Sequence, residues 1–313
     1  MRKIGSLPTI AGALLAFGLS AAPAHALRDA TWVSGHGTDS GTCAPAAPCR
    51  TFAFALTQTA AGGEIGVLDP ARYGTVTITK AISIVNDGVG VASIGASSGN
   101  GVTVTAGASD SVHLRGLTIE GLGTGANGIQ FNSGGNLAIE NCVVRNFGFG
   151  NGIDIAPSTS GSFSVSTTIA SNNGVGILVQ PPRSAVVARV LSKVTANNNN
   201  IGILVNGGAT AGASLNVTIV DSVASNNTTG GVAAQSTTGT ATALMVRNVV
   251  AGYNFFGLQA VQNAILRVAH SVITGNGTGV TTFSGGILDS YGDNDIDGNA
   301  NNNTGVLTVI PTH

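Results

Sequence analysis

The sequence predicts a solenoid: a right-handed parallel β-helix. Three observations point to it. A glycine followed by an aliphatic residue recurs at near-constant spacing, short runs of alternating apolar residues lie between, and asparagines return at one phase of the repeat. The glycine steps are Gly101-Val102, Gly128-Ile129, Gly152-Ile153, Gly176-Ile177, Gly202-Ile203, Gly231-Val232, Gly257-Leu258, Gly279-Val280 and Gly305-Val306, at intervals of 22–29 residues averaging 25.5. A period in this range marks stacked repeats that bury a continuous core only together.

The elements follow in chain order. Arg2 and Lys3 precede an apolar run from Ile10 to Leu19, and Ala24-His25-Ala26 fits a small-x-small cleavage site ending at Ala26. Residues 1–26 therefore read as a bacterial export signal, and the apolar run is too short to span a bilayer. The expectation is a secreted or periplasmic protein without a membrane anchor. Residues 27–63 read as an N-terminal cap. Within it Cys43 and Cys49 flank Ala-Pro-Ala-Ala-Pro, and export permits a disulfide there; the alternative is two free thiols in a tight loop. Thr51 is an N-cap before the stripe Phe52, Ala55, Leu56 and Thr59, which predicts a short helix over the open end of the first coil. Gly62-Gly63 is read as its stop and Glu64 to Leu68 as the first strand.

Residues 64–313 read as the β-helix, roughly ten coils long. Residues 111–121 (SVHLRGLTIEG) align with 136–146 (NLAIENCVVRN): alternate apolar positions, a one-residue break at Gly116 or Asn141, then a second alternating run. Period two means strand. A third short strand follows each anchor glycine, giving three per coil. A leucine-rich repeat shares the period, but Val, Ile and Thr fill these strands and favour β structure. Asn146, Asn172, Asn197, Asn226, Asn276 and Asn299 return at the turn before the anchor glycine, with Tyr253 interrupting the series. Asparagine tolerates the left-handed backbone of a tight corner and can stack in an amide ladder. Cys142 falls at an inward position with no neighbouring activator and reads as a buried structural thiol.

Only 9% of the 313 residues are charged and the net charge is −1, so no basic footprint for a nucleic acid exists. The residues two places after the anchor glycines should face outward. They read Thr103, Gln130, Asp154, Leu178, Leu204, Ala233, Gln259, Thr281 and Leu307. Asp154 is the single acid among them, whereas a glycosidase needs two carboxyl groups roughly 5–9.5 Å apart. Leu178 and Leu204 suggest a small exposed contact patch. The alignment sets Arg115 over Glu140 and Glu120 over Arg145, read either as surface ion-pair ladders or, with Asp154, as a polar patch for sugar hydroxyls. Asp293-x-Asp295-x-Asp297-Gly298 matches the first half of a calcium loop, but the twelfth position falls on Thr304. Calcium is the one cofactor the sequence suggests; the alternative is a solvated terminal strand with Ile296 inward.

Trp32-Val33-Ser34-Gly35, Gly37-Thr38-Asp39-Ser40-Gly41-Thr42 and Pro48-Cys49-Arg50-Thr51-Phe52 resemble the N-terminal cap of secreted bacterial right-handed β-helix-repeat proteins. Residues 73–80 (YGTVTITK), Ser290-Tyr291-Gly292-Asp293-Asn294 and Gly298-Asn299 are similar to the opening and closing coils of that group. The resemblance implies the pectate-lyase superfold, which hosts polysaccharide lyases, glycoside hydrolases, esterases, adhesins and non-enzymatic surface proteins. The polygalacturonase-like set of Asn-Thr-Asp, Asp-Asp, Gly-His-Gly and Arg-Ile-Lys is not reproduced; Gly35-His36-Gly37 lies in the cap and reads as a loop. The expectation is an exported, non-enzymatic scaffold that binds glycans or cell-surface components through a Ser/Thr/Asn-rich wall. A polysaccharide lyase or glycoside hydrolase, and a self-associating or tailspike-like surface protein, are the alternatives.

Overall fold

The computed structural model describes residues 27–158, 160–182, 189–208, 215–236 and 241–311. The expected export signal of residues 1–26, with its cleavage site at Ala26, lies outside the described residues. The rest is a right-handed parallel β-helix. Each regular coil has three strands, as in Ser111–Arg115, Leu117–Gly121 and Asn127–Ser133. The third strands form one ten-stranded sheet, from Val76–Ile78 at one end to Asn301–Asn303 at the other, and the first two wrap into a twenty-stranded sheet. Neighbouring strands pair in parallel, for example Asn136–Glu140 with Ser111–Arg115 and Asn127–Ser133 with Asn151–Ile155. Setting aside the two end strands of the smaller sheet leaves about eight turns enclosed on both sides, slightly fewer than the roughly ten regular coils expected.

The predicted one-residue break is a corner. Gly116, Asn141, Thr167, Lys193 and His270 sit at positive φ between the first two strands of their coils, and Asp221 and Asn248 take the same conformation within the single long strands Leu215–Ser225 and Thr242–Gly252. Inside, Ile129, Ile153, Ile177, Ile203, Val232, Leu258 and Val280 stack in register and are essentially inaccessible to solvent. Their spacing explains the sequence period, because one inward aliphatic per coil closes the column. The preceding glycine is needed for room: a Cβ on Gly176 would lie 2.5 Å from the Gly202 carbonyl oxygen and 2.8 Å from Asn199 Nδ2.

That second contact links the glycine and asparagine signatures. Asn173, Asn199, Asn227, Asn254, Asn276 and Asn299 form a ladder in which each Oδ1 from Asn199 onward accepts both the backbone N–H and the Nδ2–H of the asparagine one coil earlier, and Asn173 Oδ1 accepts from Phe147 N. Asn199 Oδ1 thus accepts from Asn173 N at 2.9 Å and Asn173 Nδ2 at 3.2 Å. The same pattern joins Asn227 to Asn254 and Asn254 to Asn276. The residue just before each ladder asparagine takes the left-handed turn: Asn172, Asn198, Asn226, Tyr253, Gly275 and Gly298; Asn146 does the same before Phe147, where the ladder starts. The sequence reading merged these two adjacent series. Asn146, Asn172 and Asn226 turn the chain, Asn276 and Asn299 form the ladder, and Asn197 does neither, its Oδ1 accepting from Ser225 N. Tyr253 occupies a turning position, so the ladder passes through Asn254 unbroken.

The cap departs from expectation in two places. The helix, α1, spans Phe52–Gln58 with Thr51 as N-cap, its side chain accepting from Phe54 N. It ends at Thr59, not at Gly62-Gly63, because Thr59 turns extended while its hydroxyl donates to the Ala55 carbonyl and meets Thr31 Oγ1. The strand Thr59–Val67 therefore begins before Glu64. Residues Arg28–Val33 are not loop but a strand that pairs in parallel with it, adding a rung under the helix. Cys43 and Cys49 form a disulfide, and Cys142 is free and buried, its thiol pushed up to about 11 by burial. Gly305-Val306 is not an anchor step. The last strand of the smaller sheet is Asn301–Asn303, whereas Leu307 lies in the larger sheet opposite Leu288. No helix among the described residues is long and apolar enough to cross a membrane.

Candidate functional site

The outward face of the ten-stranded sheet changes character along the rod. Thr77, Thr103, Gln130 and Asp154 are successive register partners on its first four strands, followed by Leu178, Leu204 and Ala233. Each of the second to fourth strands is preceded or opened by an asparagine that reaches the outward residue three places on. Asn100 Nδ2 donates to Thr103 Oγ1 at 3.2 Å, Asn127 Nδ2 to Gln130 Oε1 at 2.7 Å, and Asn151 Nδ2 to Asp154 Oδ2 at 3.3 Å. Asn127 Oδ1 also accepts from Asn151 N at 2.8 Å, joining two of these pairs across coils. The result is a strip of amides and hydroxyls running along the axis. Every group in it except Asp154 is neutral and offers both donors and acceptors.

At the N-terminal end the strip runs into a cleft of about 440 Å³ between α1 and the sheet. Ala53, Leu56 and Thr57 of the helix form one wall; Thr75, Thr77, Thr79, Lys80, Asn100 and Thr103 line the rest. Alternation along one strand puts the three threonines on the same face. Lys80 Nζ donates to the Thr59 carbonyl, and burial lowers its pKa. The wall is fixed from outside: Asp39 accepts from Arg50 N, Thr51 N and Thr51 Oγ1, which holds the helix start in place. Nearby, Ser34 Oγ and Gly35 N donate to Asp69 and hold its carboxyl below the usual range, while Tyr73 packs beside it with its phenol raised by burial. His36 lines a separate cleft of about 330 Å³ with Thr38, Ser40 and Pro48, well within the cap loop.

Asp154 is 6% exposed, not a free surface acid. Burial raises its pKa, opposed by hydrogen bonds from Gln180, Asn151 and Gln130. The structure separates it from the other candidates. Arg115, Glu120, Glu140 and Arg145 lie on the twenty-stranded sheet, so no single wall holds all five. Glu140 and Arg115 are register partners as expected, yet Arg115 turns to Asp87 at 3.2 Å and Glu140 to His113 at 3.4 Å. Glu120 does meet Arg145, at 3.5 Å, and also accepts from Asn146. Exposed pairs of this kind contribute about 0–1 kcal/mol. Leu178 and Leu204 stack in register, but Leu178 is buried and Leu204 half-buried, so they form no exposed patch.

The three terminal aspartates do not converge either. Asp293 is held by His270, Asp297 accepts from Gly298 N and Asn302 and is lowered by them, and Asp295 stands exposed opposite Val272. Among the described residues no group of three or more His, Cys, Asp or Glu is gathered to hold a metal ion. Calcium takes six to eight oxygen ligands, and the strip offers one carboxylate already engaged with Gln180 and Asn151; these residues do not fit a calcium centre. The asparagines of the strip escaped the sequence reading, although a signal was present. Asn-Gly precedes the aliphatic anchor at Asn100, Asn127 and Asn151 and at none of the later steps.

No family model and no curated protein matches the chain. Among solved structures it is similar to the pectate lyase Pel9A, at 16% identity and a TM-score of 0.50, over 92% of this chain and 78% of that one. A second likeness is to the A-module of the Azotobacter vinelandii mannuronan C-5 epimerase AlgE4, at 15% identity and a TM-score of 0.38, over 91% and 89%. The fold is that of the pectate-lyase-like parallel β-helix proteins.

Proposed function

We propose that this chain is an exported, non-enzymatic β-helix that binds a glycan along the amide and hydroxyl strip from Thr77 to Gln130, with the buried Asp154 at its far end. The observation that supports this is the row of paired side chains, Asn100–Thr103, Asn127–Gln130 and Asn151–Asp154. At roughly 4.8 Å per coil they repeat along the axis as a linear polymer of hydroxyl-bearing rings would require. Planar amides, each a donor and an acceptor, suit hydroxyl groups better than they suit a charged polymer. A single buried carboxyl argues against paired-acid hydrolysis.

Purified protein incubated with a panel of neutral and acidic polysaccharides, with and without calcium, tests the reading. Retention of intact polymer, reducing ends and unsaturated products are followed together. The expected result is calcium-independent retention without cleavage, reduced in Gln130→Ala and unchanged in Arg145→Ala on the opposite sheet. Turnover that disappears in Asp154→Ala would replace this reading with a lyase or hydrolase. Absence of both retention and turnover, with oligomers in light scattering, would replace it with self-association.

A further inference from the structure

We infer that the strip takes a glycan by its end, with the terminal sugar seated in the cleft against α1. This rests on the glycan-binding reading and adds to it the part of the polymer that is recognised. The line Thr77, Thr103, Gln130, Asp154 runs along the rod axis, and Val76–Ile78 is the end strand of its sheet. The next element beyond that strand is not another coil but the helix, which packs against it. Ala53, Leu56 and Thr57 therefore close the strip across its direction of travel. A chain lying on Gln130 and Thr103 cannot continue past Thr77 without leaving the surface.

The cleft has the character of a binding site for one small group. Its volume of about 440 Å³ lies in the range of small-molecule sites. The Thr75, Thr77 and Thr79 hydroxyls and the Asn100 amide supply neutral hydrogen-bonding groups. Lys80 adds a cation that takes part in none of the ion pairs found among the described residues. An ammonium has three donors, and the Thr59 carbonyl uses one. In the other direction the polar face gives way to Leu178, Leu204 and Ala233 after Asp154. The continuous polar run is thus the four strands next to the helix, because Leu178 and Ala233 are buried and Leu204 half-buried before Gln259 resumes the column, and the remainder of the polymer extends into solvent.

The test uses oligosaccharides of graded length, prepared by partial acid hydrolysis of the polysaccharide that the full chain retains. Titration calorimetry should give one protein bound per oligosaccharide whatever its length, with affinity levelling off after a few residues. Ala53→Trp, on the exposed side of α1 away from buried Phe52, Ala55 and Leu56, should weaken binding about tenfold. Thr57→Arg, one turn later on the same side, is the second variant should the first fail to fold, and the stoichiometry needs no variant. Protein-to-chain ratios that rise with length would overturn end recognition. So would wild-type affinity in both helix variants alongside loss in Gln130→Ala, an outcome that leaves glycan binding itself intact. If no polysaccharide is retained at all, the glycan-binding reading fails and this inference falls with it.

Discussion

Asp154 shows what one side chain's surroundings do to its chemistry. It is 6% exposed and keeps hydrogen bonds from Asn151 and Gln180, yet burial dominates and raises its pKa. The sign of the linkage follows. Between the ordinary carboxyl value of 3.8 and the raised folded value, the native state binds more protons than the unfolded chain, so stability falls as pH rises through that window. Above it the loss is complete, and the carboxylate is a standing cost at neutral pH. Asp154→Asn removes the charge while retaining the acceptor for Asn151. Thermal unfolding across a pH series should show the variant more stable than wild type at pH 7. The difference should shrink through the acid range and be gone below pH 3.8. An unchanged difference at all pH values would mean that the carboxyl does not titrate abnormally.

At the scale of the element, the asparagine corner divides two jobs between neighbours. Asn198 supplies a left-handed turn at φ 58°, and Asn199 supplies ladder bonds to Asn173, Asn227 and the Ala170 carbonyl. Asn198→Gly should therefore change stability by no more than about 1 kcal/mol, since glycine adopts that backbone freely. Asn199→Ala should cost about 2–4 kcal/mol, because it strands buried donors on Asn173 and an acceptor on Ala170. Denaturant titration of the two variants checks the contrast. The pair also shows what was legible in the sequence. Strands, corners, capping helix and disulfide could all be read, because periodicity, N-cap chemistry and cysteine spacing are local. The phase of the ladder could not: two adjacent asparagines look alike until backbone geometry separates them. Nor could the partition of Asp154 from Arg115 and Glu140, since a coil has three walls and the sequence repeat has one phase. The strand Arg28–Val33 was missed because its partner, Thr59–Val67, lies beyond the helix.

For the whole molecule, specialisation is polar along the axis. The cap, cleft and amide strip occupy the N-terminal turns, and the C-terminal turns add length and core. The ladder makes each of those later turns interchangeable. Tyr253 and Gly275 turn the chain alike, and Asn254 and Asn276 stand 22 residues apart at equivalent rungs. Excising residues 254–275 would bring Asn276 to the rung of Asn254 and set Thr278–Phe283 against Gly230–Ser236. That shortened chain should unfold cooperatively and keep whatever the strip binds, as read by calorimetry and retention, whereas removing half as many residues should yield no folded protein. The interior amide column thus works as an indexing device. It confines viable insertions and losses to complete turns or to the loops outside the rungs, whose lengths already differ by up to six residues between coils. It also lets the rod be lengthened or trimmed as a spacer without altering the end proposed to take the glycan.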